Sequence, residues 1–370
     1  MLLLRRICLL LLLSTIAVVG CGAKPKKQVK KTAALPTQDE LKKELDEVLD
    51  FTFERELDLD VHAAWQILHG ALAYGRDFLM EHKGKKVSAV DHILSGGLMQ
   101  GWTTEPPVLL NPVAKRYGLR AVVESGTGTG QGHPDQWFAV LSQCDLKSAQ
   151  KIKIANHVFT MDDYVRMVQH DVFRNEPQEY SWTLIGLTRY LPTDATWKAG
   201  DNQTWSIERL LKIEVDQDDE ERHLGACGGS HRLIGMVMTL NRHIKRKGKI
   251  EGIWARTQAR VTDAIETAKR YQNPDGTLSS NYFERPGTTP DLRQVLSSTG
   301  HTVEFLALAM SKEELKQEWV QRAVLSLCKI FRKSKDFDLN CGPLYHAAHG
   351  LALYRERVFG KRRYPAKLGK

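Results

Sequence analysis

Cysteine is scarce. The chain of 370 residues has six, and four of them, Cys144, Cys227, Cys328 and Cys341, lie far apart in its body. That spacing excludes a disulfide-dense scaffold and leaves room for one or two bridges. Aromatic side chains are also few, eleven Phe and eight Trp, and few of them cluster on the most apolar stretches. No strand-rich region stands out, although "YGLRAVVESG" (117–126) reads as a local hairpin. A net positive charge is missing from the body as well. The formal net charge is +9, but Arg5 and Arg6 belong to the leading segment and five lysines fall within residues 22–38. The closing "RERVFGKRRYPAKLGK" holds roughly six more charges. The body is thus slightly acidic, which excludes the nucleic-acid partner that a basic chain would suggest.

What is present starts with an address. "MLLLRRICLLLLLSTIAVVG" (1–20) is a short basic start followed by an apolar run, the pattern of a secretory signal. "VVGCGAK" resembles the lipobox of bacterial lipoproteins. The resemblance implies cleavage before Cys21, diacylation of its thiol and a membrane-anchored, extracytoplasmic protein of the bacterial cell envelope. The other reading is an uncleaved anchor in which Cys21 is incidental. Residues 21–37, rich in lysine and without periodicity, read as a disordered tether beside anionic headgroups.

The body, residues 38–357, repeats itself. Six apolar stretches share a polar or aromatic start followed by small residues among Leu, Ile and Met: 62–76, 132–144, 178–191, 227–242, 300–310 and 341–357. Gly70, Gly186, Gly235 and Gly350 occupy one equivalent slot, with Ala139 and Ala307 filling it in the other two. Between them run amphipathic segments with apolar residues three and four apart, as outer helices need. The spacing predicts an all-α fold, an (α/α)6-type toroid with an inner ring of apolar helices and a charged jacket. Residues 358–370 read as a basic tail.

"YQNPDGTL" (271–278) is similar to the Q-x3-G-x-W element of squalene–hopene cyclases and prenyltransferase-type toroids, with Gln272 and Gly276 matching and Leu278 in place of Trp. The whole chain resembles a family of uncharacterised planctomycete lipoproteins. Some of these carry a label of ADP-ribosylation-factor GTPase activation, which requires a C-x2-C-x16-C-x2-C finger. No C-x2-C pair exists here, so that activity is not carried over.

The long links, 95–131, 216–226 and 273–299, all lead into apolar stretches, so the elaborated face lies at the inner-helix N-termini. That mouth would present His62, Trp65, His133, Trp182, Tyr345 and His346 to a polar small molecule or glycan, with helix N-termini favouring an anion. Cys227 and Cys341 with His231, or with His301 or His346, suit zinc, since thiolate and imidazole are its usual ligands and an open fourth position would be catalytic. Protein prenyltransferases and lanthionine cyclases hold zinc with such residues, although neither family's motif is complete here. The alternatives are packing roles for both cysteines, or a Cys227–Cys341 disulfide. His301 and the carboxylates Glu304, Asp135 and Glu179 are the candidate catalytic residues, as acid/base groups of the kind used on glycosides. "DQDD" (216–219) matches the D-x-D-D string of class II terpene cyclases but lies in a hydrophilic run and reads as an acidic rim. "SGTGTGQG" (125–132) lacks the Lys-Ser/Thr ending of a phosphate loop and reads as a flexible loop. The readings are therefore a ligand-binding cavity, a zinc-dependent or carbohydrate-active hydrolase or lyase, and a non-catalytic envelope scaffold.

Overall fold

The six apolar stretches become six buried helices in the computed structural model, which describes residues 34–364 except 56, 105–106, 124–131, 178 and 218–224. The leading segment, Cys21 and nearly all of the tether lie outside the described residues, as do the Gly-rich loop up to Gln131 and the DD pair of "DQDD". Inner helices one to six are Ala64–Tyr74, Gln136–Gln143, Tyr180–Tyr190, Ser230–Lys245, Leu292–Ala309 and Cys341–Phe359. Each packs against the next, and the sixth packs back against the first, so the six follow one another in a cycle. Amphipathic helices lie outside them: Gln38–Phe53, Ala89–Leu94, Met161–Asp171, Ile207–Asp216, Ile253–Arg270 and Glu318–Lys333.

Close approach explains two of the glycines. A Cβ on Gly235 would stand 2.9 Å from the backbone of Ser181 in inner helix three. One on Gly350 would stand 2.8 Å from the Glu304 nitrogen in inner helix five. Helices that touch through their backbones leave no room for a side chain there. The closeness of helices five and six matters later, because it places Glu304 against two histidines.

Helices are not the whole fold, and the all-α expectation is corrected. Eleven short strands among the described residues form five small sheets. Three of these sheets recur at one place in the repeat. Leu79–His82 pairs with Lys85–Ser88, Lys151–Ile154 with His157–Thr160, and Thr196–Lys198 with Thr204–Ser206, each hairpin leading directly into an outer helix. Ser88 and Ser206 accept from backbone N–H groups three residues on, which caps the helix that follows. Thr160 instead donates through its N–H and hydroxyl to Asp163 Oδ2 at 2.7 and 2.8 Å. The expected hairpin at 117–126 differs too. Its two strands pair with other partners, Arg116–Gly118 with Val108–Asn111 and Ala121–Val123 with Trp102–Thr104. They make a nested ribbon inside the long link.

Two boundaries move. Inner helix five begins at Leu292, so the link expected to run to residue 299 ends eight residues earlier and His301 stands mid-helix, not at a helix start. The C-terminal tail is docked as far as it is described. Arg362 pairs with Asp46 and Asp50 of the first outer helix, and the Tyr364 ring stacks on Phe53 at 5.0 Å.

Candidate metal centre in a central cavity

Inner helices one, four, five and six surround a cavity of about 1190 Å³ lined by both polar and apolar groups. Its floor is built from Cys227, His231, His301 and His346. One ligand atom from each of Cys227, His231 and His301 lies within 4.8 Å of the others. Each residue reaches this point for a local reason.

Cys227 precedes inner helix four in the turn "ACGGS", where Cys227, Gly228 and Gly229 all have left-handed backbone, with φ of 55°, 60° and 77°. Such a run reverses the chain tightly and delivers the thiol beside the first turn of the helix. Glycine adopts that conformation freely, whereas a side chain such as cysteine's costs about 1 kcal/mol there. His231 stands in the first turn of the same helix, and its ring lies 4.6 Å from that of Trp182 and 5.0 Å from that of His346. His301 donates from Nδ1 to the carbonyl of Ser297, one turn back on its helix, at 2.7 Å. That bond fixes the ring and turns Nε2 toward the Cys227 sulfur, the arrangement metal-binding histidines adopt.

Burial in the floor disfavours charge on its histidines. It brings His346 down to about 4 and His69 to about 3, and holds His231 well below the usual range. Cys227 and His301 are a coupled exception. Burial opposes charge on both, yet the ring beside the thiol lowers the thiol, and the thiolate raises the ring. Beneath this layer, the Glu304 carboxylate accepts from His346 Nδ1 and from His349 Nδ1, both at 2.8 Å. Burial alone would raise Glu304, but the two histidines keep its carboxyl well below the ordinary range.

His62, Trp65, His133, Cys227, His231, His301, Cys341, Tyr345 and His346 all line the cavity. Trp182 is buried behind His231. Glu179 and Asp135 are not in the floor. Glu179 holds His133 Nδ1 at 2.9 Å, while the partly buried Asp135 accepts from Thr183 and Asn175, and desolvation raises it against those two donors. The three expected carboxylates therefore stand on separate elements, each with its own partners. Cys341 is cut off from Cys227: its thiol faces Gln66 Nε2 at 3.9 Å, and all four described cysteines are free. Burial pushes the Cys341 thiol up to about 11. The residue that completes the set with Cys227 and His231 is His301. Asp216, the described acid of "DQDD", is held ionised by Lys212 and Arg256, the opposite of what protonating an alkene requires.

The sequence reading left Ser297, Gln136 and Arg55 out of the site, while His69 and His349 read as hydrogen-bonded cavity histidines. The four-residue spacing of Ser297 from His301, and of Trp65 from His69, was visible, since His69 Nδ1 likewise donates to the Trp65 carbonyl at 2.7 Å. Arg55 comes from the end of the first outer helix, and no local pattern marks it. No protein-family model, curated protein or solved structure matches the chain.

Proposed function

We propose that this chain is a lipid-anchored envelope protein built as an α/α toroid, with a central cavity that performs hydrolytic or lyase chemistry at a zinc centre. The cyclic order of six inner helices supports the toroid, although hairpins interrupt its jacket. The lipobox-like "VVGCGAK" and the lysine tether support the anchor at Cys21. No helix among the described residues is long and apolar enough to cross a membrane.

One observation carries the metal reading. Nδ1 of His231 is buried without a hydrogen-bond partner, His301 Nε2 has only the Cys227 thiol to meet, and one ligand atom of each of the three residues lies within 4.8 Å of the others. A single S–H cannot satisfy two imidazole nitrogens. A cation bound by Cys227, His231 and His301 satisfies all three, and thiolate with two imidazoles is a ligand set for zinc. Three protein ligands beside a roomy cavity leave a position for water or substrate. Zinc there would supply Lewis-acid polarisation and a water ionised near neutral pH. The protein supplies orientation: Ser297 fixes the His301 ring, and Glu304 fixes His346 next to His231.

A second reading is favoured by the left-handed backbone at Cys227. A strained thiolate facing an imidazolium at a helix start is also the arrangement of a nucleophile, with Cys227 attacking an acyl carbon and His301 delivering the proton to the leaving group. Metal content of the purified signal-free chain separates the two. About one zinc per chain, lost in both Cys227→Ser and His301→Ala, supports the metal centre. Metal-free protein whose Cys227 is alkylated by iodoacetamide at pH 6 much faster than Cys341 supports the nucleophile instead.

A further inference from the structure

The cavity has a second wall, between the starts of inner helices one and six, that the metal reading does not use. Arg55, Trp65 and Tyr345 line it. Trp65 reaches the start of inner helix six, where a Cβ on Gly342 would stand 2.8 Å from its ring. The Arg55 guanidinium donates to the carbonyls of Phe337, Ser334 and Lys335 at 3.0, 2.9 and 3.0 Å, so it is held rigid just ahead of that helix.

Each of these three residues keeps one buried donor without a partner: Arg55 Nε, Trp65 Nε1 and the Tyr345 hydroxyl. The Tyr345 side chain is fully buried. A buried donor left unmade costs about 1–3 kcal/mol, and three on one cavity wall are an expensive coincidence unless something completes them. All three donate, one belongs to a permanent cation, and the first turn of a 19-residue helix lines the same cavity. What completes them accepts hydrogen bonds and carries negative charge. The wall connects to the floor through His69, whose ring lies 4.1 Å from Trp65 and 5.2 Å from His346.

We propose that Arg55, Trp65 and Tyr345 form an oxyanion subsite that holds a carboxylate or phosphate of the substrate while its reacting bond lies over the Cys227/His231/His301 floor. The assignment rests on reading the cavity as the reaction site and names the substrate class as an anion.

The test uses the purified signal-free chain after removal of metal with a chelator. Its outcome is then independent of zinc. Thermal shift is measured against inorganic phosphate, acetate and the neutral acetamide. The wild type should show a saturable rise with phosphate or acetate and none with acetamide, and whichever anion saturates identifies the group. Tyr345→Phe deletes only an unpartnered hydroxyl, so it should melt no lower than wild type without ligand, yet its apparent affinity for the anion should fall about tenfold. Arg55→Gln should lose affinity at least as much. Tyr345→Phe keeps the test decisive if Arg55→Gln does not fold. Absence of saturable anion binding, an equal response to acetamide, or unchanged affinity in Tyr345→Phe would overturn the proposal. If zinc is absent and the anion response is present, the metal reading alone fails.

Discussion

The Nε2 atoms of His231 and His346 lie 3.4 Å apart in the cavity floor. His346 gives its Nδ1 proton to Glu304, so as a neutral ring its Nε2 is a lone pair and the shared proton comes from His231. That leaves His231 Nδ1 bare, which is the nitrogen without a partner. Glu304 thereby sets the proton pattern of the site from below, without lining the cavity. Glu304→Gln offers one acceptor where two histidines need one each. It should cost about 2–3 kcal/mol in a urea-denaturation midpoint analysis, whereas a loss under about 0.5 kcal/mol would show that the two bonds carry no weight.

Acidification should unfold the metal-free domain early. His69 and His346 have folded-state values of about 3 and about 4 against an ordinary 6.5, chiefly through burial. A base held neutral in the fold and protonated in the unfolded chain adds stability that is complete above pH 6.5 and lost as pH falls toward its folded value. Each contributes a slope of up to about 1.4 kcal/mol per pH unit below that point. Equilibrium denaturation between pH 7 and 4.5 should show stability falling with the uptake of about two protons. A flat profile there would mean that these rings are solvated.

The strain at Cys227 predicts a trade. Cys227→Gly should stabilise the metal-free fold by about 1 kcal/mol, because glycine accepts the left-handed backbone, while abolishing metal binding. Gly228→Ala should do the reverse to the fold, since its Cβ would meet the Tyr282 ring at 2.5 Å in a residue with φ of 60°. A loss of about 2 kcal/mol or more is expected. Calorimetric melting of both variants beside Cys227→Ser, which keeps the strain, checks the sign.

Away from the cavity, Arg232 and Glu214 form a buried ion pair at 2.8 Å, with Glu214 0% exposed. Burial raises Glu214 to about 7 against the pull of Arg232. Arg232→Ala should destabilise the domain by about 3–5 kcal/mol, because it strands the carboxyl in the core. The double variant Arg232→Met, Glu214→Leu should recover most of that loss. If the single variant melts within a degree or two of wild type, the pair is not the tie it resembles.

The inner helices were legible in the sequence because burial on nearly all sides writes an apolar run with small residues at close contacts, as at Gly235 and Gly350. The hairpins before the outer helices were not. Their strands are short and mostly only part-buried, so "KKVS", "HVFT" and "TWS" carry too few alternating residues to read as sheet. In the site, Cys227 and His231 were found together because one helix start holds both. Cys341 was grouped with them because Cys-Gly recurs at both helix starts, and His301 stood among the imidazoles that could join them. Pairing His301 with Cys227 depends on how helix five lies against the turn before helix four, a tertiary fact with no local signature. The partnership of Glu304 with His346 and His349 likewise follows from the backbone contact at Gly350.

Zinc-edge X-ray absorption on the purified signal-free chain tests the central claim most directly. The account predicts a first shell with one sulfur near 2.3 Å and two imidazole nitrogens near 2.0–2.1 Å, and loss of the sulfur scatterer in Cys227→Ser. A shell of light atoms only, or a chain that binds no zinc while Cys227 reacts as a free thiolate, would contradict it.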